Sequence, residues 1–186
     1  ALGTRLRMEL ELLLEREPWR QALLMLKAWG GLSMLDAALQ GETNTLRRLA
    51  WGERLGLPLL MSLVAGAIAS TELAARLQLP QRQQKWLCQF ARLRGNLRST
   101  TLQRHSPSSW CKLFEAQGLS PEAVALALAC GTTPRRPILR WWYDWRHVKT
   151  PKTPEVLMQE GFSAGPALGH ELQRLRAELL DRSSEM

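Results

Sequence analysis

Thr153-Pro154-Glu155-Val156-Leu157-Met158-Gln159-Glu160-Gly161 holds the rule by which this chain folds. A hydroxyl residue sits at the cap. Proline follows at the first helical position, where its missing amide hydrogen is no loss, and a glycine stands where the helix must stop. The device recurs at Ser106-Pro107 with Gly118 and at Ser120-Pro121 with Gly131.

Upstream, apolar spacing is helical as well. Leu6, Leu10, Leu13 and Leu14 share one face of a first helix ending near Glu17-Pro18. A second helix runs from about Pro18 to Ala28 with Ala22, Leu23 and Leu26 inward, and Gly30-Gly31 stops it. Short helices are predicted over 32–39, 43–55 and 58–69, with Gly56 as a stop and Ser70 as a cap for the next. Pro80 then opens a longer helix carrying Trp86, Leu87, Phe90 and Leu93. No alternating strand of useful length occurs, so the predicted fold class is all-α.

The 186 residues are 45% apolar, a globular composition. The uncharged run Leu55–Thr71 contains Gly56, Pro58, Ser62 and Gly66, and reads as core helix rather than a membrane span. Cys88, Cys111 and Cys130 show no Cys-x-x-Cys spacing; reduced, buried thiols and a cytoplasmic setting are expected. Ala1 in place of Met, with a helical pattern almost at once, predicts a piece of a longer chain. The organisation expected is a helical region over 1–70, a basic helical region over 71–148 and a tail over 149–186.

Charge is unevenly placed. Residues 1–72 balance 8 basic against 8 acidic groups, whereas 73–114 contain no acid. That stretch carries Arg76, Arg82, Lys85, Arg92, Arg94, Arg98, Arg104 and Lys112. A solvated face normally mixes signs, so the block predicts a polyanionic partner, whose binding releases counterions. Resident catalysis is not expected. Asp36, Asp144 and Asp181 form no Asp-x-Asp pair, and His105, His147 and His170 stand apart. No Gly-rich nucleotide loop is present, and no catalytic or metal-ligating residue is assigned.

Three segments carry binding readings. Glu72–Pro80 followed by Gln81–Arg94 has the outline of a helix-turn-helix, with Gln83, Gln84 and Lys85 as base readers. Arg135–Arg146 interleaves arginines with Trp141, Trp142, Tyr143 and Trp145, which either cement neighbouring helices or stack bases. At Gly165-Pro166-Ala167-Leu168-Gly169 a final helix begins, with Leu168, Leu172, Leu175 and Leu179 as its apolar residues. Its free amides and bare glycines suit either a phosphate or helix–helix contact.

That closing motif, continuing to Leu172, Leu175 and Arg176, resembles the tail of the bacterial tRNA nucleotidyltransferase and poly(A) polymerase family. The opening Arg5–Leu14, Ala22–Leu26 and Trp29–Leu32 segments are similar to the helical RNA-binding region behind that family's catalytic head. Both ends agree in order, so the resemblance spans the chain; residues 43–150 match only in helical, basic character. It implies the all-α body and tail of a class II enzyme whose absent head, with Mg2+ and ATP or CTP, adds nucleotides to RNA 3′ ends. The implied partner is tRNA, gripped at its acceptor and T arms, with no membrane involved. Arg94, Arg98, Lys149, Lys152 and the Gly165, Pro166, Gly169 turn are the expected contacts. A departure lies at Lys152-Thr153-Pro154, where many relatives have a Gly-Lys step. A DNA-binding regulator built on 72–94 and a helical module docking protein through its tryptophans are the competing expectations.

Overall fold

The computed structural model describes residues 2–99 and 105–182, and every regular element among them is helical, as the all-α reading requires. The chain divides into two compact units, one from residues 1–100 and 118–135, the other from 101–117 and 136–186. None of the described helices is long and apolar enough to cross a membrane.

The first unit contains α1 (Leu2–Glu15), α2 (Trp19–Ala28), α3 (Ala37–Gly41), α4 (Thr45–Arg54), α5 (Leu59–Val64), α6 (Ser70–Arg76), α7 (Gln81–Ser99) and α9 (Pro121–Ala129). α9 buries every residue from Ala123 to Ala129 because α4 and α7 both pack on it. α7 presents Leu87, Phe90, Leu93 and Leu97 inward. Its buried Gln89 donates to the Gly118 carbonyl and accepts from the Ser120 amide, fixing the approach to α9.

Several predicted boundaries move, each for a tertiary reason. The 32–39 helix is a 3-10 turn, Gly31–Met34, followed by α3, because the Asp36 carboxylate takes the Ala38 amide (2.8 Å) and restarts the helix. The 58–69 helix ends at Val64. Arg48, 3% exposed, donates through Nε to the Ser62 carbonyl (2.7 Å) and through Nη2 to that of Leu63 (3.3 Å). Those oxygens would otherwise accept from residues 66 and 67, whose amides turn instead to Leu63 and Val64. A β-carbon on Gly66 would run into the same guanidinium. Ser70 is the first residue of α6 rather than its cap, and its side chain is buried. On α1, Leu10 and Leu14 face the core while Leu6 is 40% exposed.

The second unit contains α8 (Pro107–Phe114), all of α10 (Arg135–Tyr143) after its first residue, a 3-10 turn at Trp145–His147, α11 (Pro154–Gln159) and α12 (Pro166–Arg182). Ser106 caps α8, accepting from the Ser109 amide. Asp181 of α12 adds a carboxylate at the same end, taking the Ser108 amide (2.9 Å) and hydroxyl (2.8 Å). Glu115 accepts from Trp141 Nε1 (3.0 Å) and from both ends of the Arg176 guanidinium (2.5 and 2.9 Å). Arg176 also donates to the Val148 and Trp145 carbonyls. Trp141 and Trp145 are buried, the helix-cementing role that the sequence left open for them, while Trp142 lies under Arg146 at 3.8 Å. Leu180, not Leu179, completes the apolar face of α12; Leu179 is 41% exposed.

Arg48 is also ion-paired with Glu42, so Glu42→Ala leaves a buried guanidinium with carbonyl partners alone. Urea denaturation of that variant is expected to show a loss of about 3 kcal/mol, and adding Arg48→Met is expected to restore most of it. In the second unit, burial pushes the Glu115 carboxyl up, but Arg176 and Trp141 outweigh it and hold it below the ordinary carboxylate range. Its contribution to stability is therefore complete above the unfolded value of about 4.3 and is lost as pH falls through the lower, folded value. Thermal melts between neutral and acid pH should show a shallower acid limb for Glu115→Gln.

Candidate nucleic-acid interface

Arg94 and Arg98 stand one turn apart on α7, beside the inward stripe of Phe90, Leu93 and Leu97. They line a polar pocket of about 220 Å³ whose far wall is Cys130, Gly131, Thr132 and Thr133, the loop leaving α9. Gly131 stops α9 in a left-handed conformation, φ 68°, which a β-carbon disfavours. A β-carbon there would also lie 3.7 Å from an Arg47 guanidinium nitrogen and 3.8 Å from one of Arg135.

Four arginines therefore surround one turn. Arg135 donates to the Leu128 carbonyl (3.0 Å) and lies 4.7 Å above the Trp51 ring; burial first, then Arg47, pulls its pKa down. Arg94 lies 5.2 Å over Phe90. Among the described residues no carboxylate pairs with Arg47, Arg94, Arg98 or Arg135. Glu42, whose charge reaches Cys130, is bound to Arg48. The carbonyl end of α9 supplies only about half a negative charge. The surplus is strongly positive, and the geometry suits a small multidentate oxyanion.

In the second unit the closing turn is at the surface. Gly165, Pro166 and Gly169 are exposed, and a β-carbon on either glycine would meet nothing within 4 Å. The glycines are thus not sites of helix–helix contact. Leu168 is buried and anchors the turn. Lys149 is exposed, while Lys152 is held by both carboxylate oxygens of Glu160 at 2.7 Å. Around Lys152 the positive charge is locally cancelled.

The acid-free block does not form one patch. Arg94 and Arg98 share the pocket, and Lys85 and Arg92 are exposed on α7. Arg76 donates to the Met34 and Leu35 carbonyls, and Arg82 pairs with Glu122 while covering Trp86. Lys112 belongs to the other unit, and Arg104 lies outside the described residues. Arg47 and Arg135 were not singled out as ligands. Arg47 sits in a segment of zero net charge, so regional counting hid it; Arg135 stood at the head of a stretch judged by its tryptophans.

The helix-turn-helix outline exists as α6 and α7, but two of its base readers are partly buried. Gln84 donates to the Leu79 carbonyl (2.7 Å), and the Gln83 carbonyl oxygen is buried; Lys85 is exposed. The described residues contain no group of three His, Cys, Asp or Glu side chains placed to hold a metal ion.

All three cysteines are free, and Cys88 is exposed, which corrects the expectation of three buried thiols. Burial pushes both Cys111 and Cys130 up to about 11, against the pull of neighbouring arginines. Near pH 8, a colorimetric thiol titration should detect one fast group, removed by Cys88→Ser, and all 3 only after denaturation. No family model, curated protein or solved structure matches the chain.

Proposed function

We propose that this chain binds RNA through the sugar-phosphate backbone, as the body and tail of a nucleotidyltransferase that extends RNA 3′ ends, with tRNA the first substrate to test. The observation that carries the reading is the set of four arginines around Gly131 with no carboxylate among them. Their pocket is small and polar, as a phosphate site requires. Such contacts fix position without reading sequence, as in duplex RNA, whose deep major groove is closed to side chains. The exposed Gly165–Gly169 turn, with Lys149 nearby in sequence, supplies the second contact implied by the family resemblance. Three unpaired cysteines accord with a cytoplasmic setting.

Filter binding of tRNA to the Arg94→Glu, Arg98→Glu double variant tests the proposal. Affinity is expected to fall at least about tenfold, and the slope of log K against log salt to shrink by about 2. Arg174→Gln serves as the control, because Glu171 and Glu178 already neutralise that side chain. An unchanged salt slope would remove Arg94 and Arg98 from the interface. Duplex DNA that outcompetes tRNA would instead favour the α6–α7 hairpin as the binding element.

A further inference from the structure

The second unit has a cleft of different chemistry. It measures about 450 Å³, twice the arginine pocket, and lies within the range of about 300–1,000 Å³ typical of small-molecule sites. The start of α8 contributes Pro107 and Trp110, the 3-10 turn Trp145, and α10 contributes Arg136, Pro137 and Arg140. His105 stands at the mouth. The lining is mostly apolar and contains no carboxylate.

Two features separate this cleft from a packing defect. The first is rigidity. Trp110 is stacked on Phe114 (centroids 5.6 Å apart, planes at 15°) and met edge-on by His105 at 5.0 Å. Trp110 and Trp145 are each 8% exposed, so the wall is fixed from behind and shows only its rim. With the rings of Pro107 and Pro137, those rims form a stiff apolar lining that loses little freedom when covered.

The second feature is charge without a partner. Three other arginines of this unit are engaged, Arg174 by Glu171 and Glu178, Arg176 by Glu115 and Arg146 on the face of Trp142, while Arg182 is exposed at the end of α12. Arg136 and Arg140 are exposed, and neither forms a hydrogen bond or ion pair with a described residue. They stand one turn apart on α10 and repel each other. Two free guanidiniums at that spacing form a fork for a phosphate, placed beside the apolar lining of Pro107, Pro137, Trp110 and Trp145.

We propose that this cleft binds one nucleotide, its base against the Pro107, Pro137 and tryptophan wall and its phosphate on Arg136 and Arg140. Either a free nucleoside monophosphate or an unstacked nucleotide of an RNA has this chemistry. The site uses none of the residues of the arginine pocket, so the inference goes beyond the backbone-binding reading and does not depend on it.

Equilibrium dialysis of the full chain against AMP, adenosine, inorganic phosphate and benzoate tests it, with a short unpaired oligonucleotide to separate the two sources. AMP is expected to bind with Kd of about 1 mM or tighter, and adenosine and phosphate each at least about tenfold more weakly. Arg136→Ala with Arg140→Ala should remove at least about tenfold of the AMP affinity, with an unchanged melting temperature because both side chains are exposed. Arg94→Glu with Arg98→Glu should leave AMP binding unchanged, so failure here and failure of the RNA reading are told apart. If the oligonucleotide competes with AMP, the nucleotide belongs to an RNA; if it does not, the free monophosphate is the ligand. AMP binding that is absent, that survives the double alanine change, or that phosphate or benzoate equals would overturn the proposal.

Discussion

Arg48 is the constraint on which the first unit depends. A guanidinium taken out of water is tolerated only when hydrogen bonds and an opposite charge surround it, and each of its partners is a structural decision. The Ser62 and Leu63 carbonyls are diverted to it, which ends α5. Gly66 must lack a side chain to leave it room. Glu42 must stay beside it, and Thr45 (3.0 Å to the Glu42 carboxylate) and Lys27 (2.7 Å to its carbonyl) keep it there. Replacing such a pair with apolar groups is often neutral or better for stability, so its value here lies in specifying one arrangement of α4 and α5. Arg47 follows from that arrangement. Once Arg48 points inward, its neighbour about 100° further round α4 is turned outward, toward the turn at Gly131.

The second unit repeats the logic with a carboxylate at the centre. Glu115 gathers Trp141 and Arg176, and Arg176 in turn holds the carbonyls of Val148 and Trp145. Two kinds of arginine stand out in this chain. Those such as Arg48, Arg174 and Arg176 face carboxylates and build structure; Arg47, Arg94, Arg98, Arg135, Arg136 and Arg140 face none among the described residues. Partner identity, not exposure, sorts them: Arg174 is exposed yet neutralised, and Arg135 is half-buried yet uncompensated.

This sorting explains what was legible in the sequence. Helix starts at Pro107, Pro121 and Pro154 and stops at Gly131 and Gly161 depend on local backbone chemistry and stand where they were placed, whereas α8 ends at Phe114, before the expected stop at Gly118. The end of α5 was not legible, because the group that causes it arrives from 14 residues upstream. Arg94 and Arg98 were singled out within the acid-free stretch 73–114, and they do share a pocket. Lys152 was read as free because Glu160, 8 residues on, folds back across α11 to meet it. Arg47 was missed because charge summed over a segment cancels numbers that space keeps apart.

The uncompensated clusters also bear on what kind of partner suits them. Like charges near one turn raise the energy of the folded state, and chain packing alone does not remove that repulsion. A cation at the end of α9 is favourable, yet one is enough for a half-charge. The others bring no structural gain visible among their neighbours: Arg98 makes no hydrogen bond or ion pair with a described residue, and Arg47 raises the cost of keeping Arg135 charged. A single carboxylate offers two oxygens to such a set, whereas a phosphodiester within a polyanion brings its charge with neighbours at regular spacing and releases counterions on docking. Around Gly131 a phosphate chain would therefore offset the positive charge that the fold leaves unmatched more fully than one acidic side chain would.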